Sequence, residues 1–211
     1  MSDHVSRLPR GRHGLTRAEV ADDQRRRIMT AMAEVMAAQG YASTTIADVI
    51  GRAGVSRETY YQQFRSKLEC FLAAFDAASA ALLAPIAGRI TDATEGDAPI
   101  GPADRLEVFD ELFGVYLDAI TSHPELARVF LIEVYAAGPE AMERRARLQA
   151  TITDAIAVLL GLGDDRVRFA CQALVAAIGA LVTPLLATGD LDGIRALREP
   201  IVDLAARSLL A

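Results

Sequence analysis

Residues Thr44 to Lys67 read TTIADVIGRAGVSRETYYQQFRSK, and this stretch decides the fold. Thr45 followed by Asp48 is a capping-box pattern, which starts a short helix. Ile46, Val49 and Ile50 give that helix one apolar face. Gly54 stops it, because glycine enters the left-handed conformation without a Cβ clash. Ser56 then caps a second helix, with Val55 and Tyr60 at staple positions. Tyr60 and Phe64 are four apart and face inward, while Arg57 and Tyr61 lie four apart on another face. Ser66 caps a third helix, with Glu69 three residues on. Helices this short do not persist alone. A helix-turn-helix packed on a longer first helix supplies the common core they need.

The second helix then exposes Arg57, Glu58, Thr59, Tyr61, Gln62 and Gln63. Arginine can donate two bonds to guanine, glutamine can bridge adenine, and tyrosine and threonine hydroxyls can hold phosphates. The same residues would also suit an ordinary solvated helix face, and spacing alone does not separate the two.

The chain of 211 residues is 52% hydrophobic, lacks Trp and carries a net charge of −6. That total looks unfavourable for nucleic acid, but its distribution is not. Residues 1–70 hold 11 basic and 8 acidic side chains, and the remainder holds 11 basic and 20 acidic. A basic end on an acidic body directs DNA to one end of the molecule. Alanine and leucine dominate and favour helix. No useful length of sequence alternates like a strand, so the fold class is all-α.

The stretch resembles the DNA-binding domain of the tetracycline-repressor (TetR) family of bacterial transcription regulators. Residues 26–75 carry the resemblance: Ala37-Ala38-Gln39-Gly40-Tyr41, the Thr44-Thr45 pair, Ile46 to Ile50, Ala53-Gly54-Val55-Ser56, Thr59-Tyr60-Tyr61, Phe64 and Ser66-Lys67. No single piece is specific, but their order and spacing are. The resemblance implies that Arg57 and Thr59 contact bases, with Glu58 and Gln62 as further candidates. It implies that Thr44, Thr45, Tyr61, Gln63 and Lys67 hold phosphates. Three positions depart from the family pattern. Glu58 stands where a small residue is frequent, Gln63 where histidine is common, and Tyr60 where a buried leucine or phenylalanine is usual; Tyr60 is therefore read as core.

Outward from that stretch, residues 1–15 read as a flexible basic arm with Arg7, Arg10 and Arg12. A first helix is expected from Thr16 to Gln39, ended by Gly40 and striped by Ile28, Met32, Val35 and Met36. Arg25, Arg26 and Arg27 on it form a basic cluster, either solvated or holding a phosphate. Residues 16–70 form the expected DNA-binding domain, and 71–211 a helical effector-binding and dimerisation domain. In the latter, a long helix runs from Ser66 to about Ile90, with a loop at 91–101. Further helices are expected at 102–122, from Pro124, at 140–160, at 164–187 and at 191–210.

The family resemblance implies a small-molecule pocket among these C-terminal helices. Phe109, Phe113, Tyr116, Phe130 and Tyr135 are the expected lining, with Met142 and Phe169 further out, although plain core packing also explains aromatics at helical spacing. Glu107, Asp110, Glu111 and Glu133 are candidates for a buried charge there, or lie on solvated faces. Small residues at Ala173, Ala176, Ala177 and Ala180 allow close helix packing, and the family resemblance implies that the last two helices form a four-helix bundle with the same pair of a second subunit, although an intramolecular core also explains them.

His4, His13, His123, Cys70 and Cys171 show no metal-ligand spacing, and no glycine-rich loop follows a strand. Neither catalysis, metal nor cofactor is expected, and the cysteines read as buried thiols. No signal peptide is read at the N-terminus, and Ala173–Leu186 reads as too short for a bilayer, which takes about 20 residues. The expected protein is a cytoplasmic, homodimeric regulator, most simply a repressor. It binds a near-palindromic site on double-stranded DNA and leaves it when a largely apolar ligand binds. The alternative is an all-helical small-molecule-binding protein or enzyme in which residues 44–67 are scaffold.

Overall fold

A computed structural model describes residues 16–94, 102–159 and 165–209. The basic arm, most of the loop expected at 91–101, and Gly161, Gly163 and Asp164 lie outside these. Every regular element among the described residues is helical: α1 (Arg17–Ser43), α2 (Ile46–Ala53), α3 (Arg57–Gln63), α4 (Lys67–Thr94) and α5 (Pro102–Ser122). Next come α6 (Pro124–Arg128), a π-helical segment (Val129–Glu133) and α7 (Val134–Ala136) in one continuous run. The chain closes with α8 (Pro139–Leu159), α9 (Asp165–Thr188), α10 (Leu191–Ala196) and α11 (Arg198–Leu209).

The caps form as the sequence dictates. Thr16 and Glu19 make a reciprocal capping box, as do Thr45 and Asp48. Ser56 Oγ accepts from the Thr59 N–H at 3.0 Å, and Ser66 Oγ from the Glu69 N–H at 3.0 Å. The Glu69 carboxylate reaches back to the N–H of Arg65 at 2.7 Å. Gly54 adopts φ 62° and ψ 41°, the left-handed stop expected of it.

α1 runs past its expected end. Gly40, at φ 78°, kinks the helix, and the chain continues helically to Ser43. α4 runs to Thr94, four residues beyond the expected Ile90. The closing helix expected at 191–210 is instead two helices that meet at Leu197. Pro200 accounts for the break: without an N–H it cannot bond back to Ala196, so it suits the first turn of a new helix.

Ile28, Met32, Met36, Val49, Tyr60, Phe64, Phe71 and Phe75 are buried and tie α1–α3 to the start of α4. The core continues through Phe109 and Phe113 of α5, Phe130 and Leu131 of the π-helical segment, and Leu174, Ile178 and Val182 of α9. Two partly exposed polar ties join helices around it. Arg144 Nε donates to Asp76 Oδ1 at 2.7 Å, joining α8 to α4. Arg198 Nε donates to Asp110 Oδ1 at 2.7 Å, joining α11 to α5. Gly114 makes room for the second tie, since a Cβ there would lie 2.9 Å from Arg198 Cζ.

One expectation about length needs correction. Residues Arg168–Thr188 form a 21-residue helical stretch long and apolar enough to cross a membrane. Its packing against α8, α10 and α11 makes it a wall of the bundle. Only 33% of its apolar window is buried, however, and Phe169, Leu181 and, on α11, Leu204 are exposed.

Candidate nucleic-acid interface and effector cavity

α3 is held by its buried side and presents the other. Tyr60 and Phe64 are buried, and the Tyr60 hydroxyl donates to Ser66 O at 3.2 Å. This agrees with reading Tyr60 as core. Burial pushes the Tyr60 hydroxyl far above the ordinary tyrosine range. Arg57, Glu58, Tyr61 and Gln62 are exposed, and Thr59 and Gln63 are half-buried. The Arg57 guanidinium lies over the Tyr61 ring, 5.6 Å from its centroid, so the two expected contact residues share one face. Gln62 Nε2 is 3.4 Å from Glu58 Oε1. Thr59 Oγ1 is 2.9 Å from Ser56 Oγ, so its hydroxyl is already engaged at the helix start.

Two of the expected phosphate contacts are occupied inside the molecule. Thr44 is buried, and its hydroxyl donates to Gly40 O at 2.8 Å. Lys67 Nζ donates to Tyr41 O and to Thr44 O, both at 2.9 Å, and sits 4.2 Å from the Tyr41 ring centroid. A lysine there satisfies carbonyls at the C-terminal end of α1, where its charge also suits the helix dipole. Thr45 is exposed but gives its hydroxyl to Asp48 at 2.7 Å. Bonds from Thr45 hold the Asp48 carboxyl below its usual range.

The basic cluster on α1 is divided. Arg27 Nη2 donates to Ala53 O at 2.6 Å and so closes the end of α2. Arg25 Nη1 donates to Gln63 O at 3.0 Å at the end of α3, stacked 4.3 Å over Phe64. Arg26 is exposed beside Asp23. Two of the three arginines thus position the helix-turn-helix, a role that composition does not reveal because their partners are backbone carbonyls.

Beyond the helix-turn-helix, helices α4, α5, α8 and α9 and the π-helical segment line a partly open cavity of about 280 Å³. This is near the lower end of ligand sites, which run from ~300 Å³ upward. Leu83 and Ile86 come from α4, and Phe109, Leu112, Phe113 and Tyr116 from α5. Phe130 and Leu131 come from the π-helical segment, Leu148, Gln149, Ile152 and Ile156 from α8, and Val175, Ile178 and Gly179 from α9. Phe109, Phe113 and Tyr116 stack in sequence with centroids 6.0 and 6.2 Å apart. Four of the five aromatics expected to line a pocket therefore do so. Tyr135 does not: it is 55% exposed, because the π-helical segment turns it to the outside. Met142 and Phe169 are also exposed and line no part of the cavity.

Arg145, which sequence reasoning missed, also lines the cavity. It is 5% exposed, donates to Leu131 O at 3.3 Å and lies 4.8 Å over the Tyr135 ring. Burial pushes the Tyr116 hydroxyl above its ordinary range, against the opposing pull of Arg145.

Of the four candidate carboxylates, Glu133 is the buried one, and it faces away from the cavity. Its Oε2 accepts the Tyr41 N–H at 2.7 Å, and its Oε1 is 3.7 Å from Arg128 Nη2. Rings continue the same route. Phe130 on the cavity wall contacts Phe75 at 5.7 Å, Phe75 contacts Phe71 at 6.3 Å, and Phe71 contacts Tyr41 edge-on at 5.0 Å. Among the described residues no three His, Cys, Asp or Glu gather as a metal site.

The chain thus joins a helix-turn-helix to further helices that line an apolar cavity, an arrangement that suits a DNA-binding regulator. Residues 28–74 match the family described as "Bacterial regulatory proteins, tetR family". The chain is 27% identical over 159 residues to the HTH-type transcriptional activator FasR of Mycolicibacterium smegmatis, covering 74% of this chain and 68% of that protein. Its fold is similar to the fatty acid degradation regulator FadR of Bacillus halodurans, with TM-score 0.72 and 19% identity over 87% of this chain and 94% of that one. It is also similar to FadR of Bacillus subtilis, solved in complex with stearoyl-CoA, with TM-score 0.67 and 16% identity over 86% and 97%. Residues 28–74 are thus a TetR-type helix-turn-helix module, and the chain as a whole has the fold of these solved regulators.

Proposed function

We propose that this regulator is a homodimer that leaves a near-palindromic operator when an apolar ligand fills the cavity. The carrying observation is the cavity itself, aromatic-walled and set on the π-helical segment that also touches the end of α1. Residues 16–70 act as the reading head and 71–211 as the effector and dimerisation unit. Arg57 reads bases, with Thr59, Glu58 and Gln62 beside it. Tyr61, Gln63 and Thr45 approach the phosphates, while Thr44 and Lys67 hold the turn beneath them.

Dimerisation through α9 and α11 is supported by the exposed Phe169, Leu181 and Leu204 on faces the chain itself leaves uncovered. A two-fold pair sets two α3 helices about 34 Å apart, one in each of two successive major grooves. The similarity in fold to a FadR solved in complex with stearoyl-CoA favours a ligand with an acyl chain. Such a ligand releases DNA only if it binds the incompetent state better than the DNA-bound one.

The test is a titration of the purified protein on DNA from its own upstream region, followed by fluorescence anisotropy. Salt-sensitive, sequence-selective binding weakened by an acyl-chain ligand is expected. Equal binding to scrambled DNA would refute the reading.

A further inference from the structure

Arg145 is buried in the wall of a cavity that is otherwise almost wholly apolar. A guanidinium is a permanent cation with five N–H donors. Here one donor reaches a carbonyl, at the long distance of 3.3 Å, and the Tyr135 ring covers one face. No carboxylate pairs with Arg145 among the described residues, although the next residue, Arg144, has Asp76. A buried charge is costly unless it is paired and hydrogen-bonded, so this site is incomplete without an anion.

The surroundings leave that anion a place. Gly179 lines the cavity beside the guanidinium, and a Cβ there would stand 3.4 Å from Arg145 Nη2. Gln149 lies four residues on along α8 and also lines the cavity, so both side chains occupy the same helix face. Phe109, Phe113 and Phe130 supply apolar wall for a chain.

We infer that the effector carries its own anionic head into the cavity, as a carboxylate paired with Arg145, and lays an apolar chain against Phe109, Phe113 and Phe130. The inference rests on reading the cavity as the effector site. It differs from an acyl thioester, whose carbonyl is neutral and whose charges lie beyond the chain. A planar guanidinium matches a carboxylate with two parallel bonds, and an alcohol of equal length leaves that cation unpaired.

The experiment compares decanoate, decan-1-ol and decanoyl-coenzyme A by calorimetric titration and thermal shift on the full chain. Charge-assisted pairing predicts decanoate binding at least about tenfold tighter than decan-1-ol. Arg145→Met should bring the two within about twofold while keeping the alcohol affinity, and Arg145→Lys should keep a smaller preference for the acid, because an ammonium keeps the charge but cannot make the two parallel bonds. The comparison on the unsubstituted protein stands even if a variant fails to fold. Equal affinity for acid and alcohol, or a thioester that binds as tightly as the acid and ignores Arg145→Met, overturns the inference and leaves the effector cavity intact. If none of the three binds, the inference and the acyl-chain reading both fall.

Discussion

The Glu133 carboxylate accepts the backbone N–H of Tyr41 at 2.7 Å, across 92 positions of sequence. The bond is needed because Gly40, at φ 78°, interrupts the ladder of α1, so an N–H just past the kink takes a side-chain acceptor instead. Glu133 lies on the π-helical segment whose Phe130 and Leu131 form cavity wall. One short segment therefore touches both the cavity and the kinked end of α1.

Glu133→Ala removes the acceptor and leaves a buried N–H unpaired, besides depriving Arg128 of its nearest carboxylate. Urea unfolding should show a loss of about 1–3 kcal/mol. Glu133→Gln keeps an acceptor and should lose less. In Glu133→Ala, ligand should still bind the cavity, by calorimetric titration, yet displace less DNA. Full displacement would remove Glu133 from the coupling route.

Lys67 provides a second discriminating substitution. Its ammonium holds the carbonyls of Tyr41 and Thr44, so Lys67→Met should lower stability by roughly 1.5–3 kcal/mol, the range for bonds to a charged group. DNA affinity should fall with it. The slope of log affinity against log salt should stay unchanged, because each phosphate contact contributes about −0.9 to that slope. A slope reduced by one unit would return Lys67 to the phosphate role that its sequence position suggests.

These two residues mark where sequence reading stops. Thr45, Gly54, Ser56 and Tyr60 were legible because caps, turns and apolar spacing are local: each signal and its partner lie within about four residues. The aromatic cavity wall was legible through helical period and family resemblance, except at Tyr135. There an extra residue per turn in the π-helical segment rotates the face that a regular helix would present. Glu133, Lys67, Arg25 and Arg27 act on backbone groups 23 to 92 positions away. Backbone acceptors carry no side-chain signature, so nothing in the pattern announces them. Arg145 is hidden differently: beside Arg144 and Arg147 it reads as one more surface charge, and only the fold turns it inward.

The thiol of Cys70 is fully buried, and burial pushes it up to about 12, well above an ordinary thiol. The unfolded chain loses that proton first as pH rises, so it binds fewer protons than the native state from about pH 9 onward. Stability should then be flat below that point and fall between about pH 9 and 12. Cys70→Ser should flatten part of the decline, seen by urea unfolding across this range, though it will also lower overall stability. At pH 8 a thiol reagent should modify Cys70 only as fast as the protein opens; prompt labelling would contradict the burial.

Arg57 and Tyr61 share the exposed face of α3, with the guanidinium over the ring. If Arg57 pairs with a guanine edge, Arg57→Ala should cost about 1–3 kcal/mol in binding the operator and should relax preference at one base pair per half-site. Tyr61→Phe removes only a hydroxyl, so it should weaken all sequences by a similar and smaller factor. Neither change should alter melting by much, since both side chains are exposed. Anisotropy titrations against a set of single-base operator variants separate the two outcomes. Uniform weakening by Arg57→Ala would move that residue from reading bases to holding phosphate, and leave Thr59, Glu58 and Gln62 as the side chains on α3 that specify sequence.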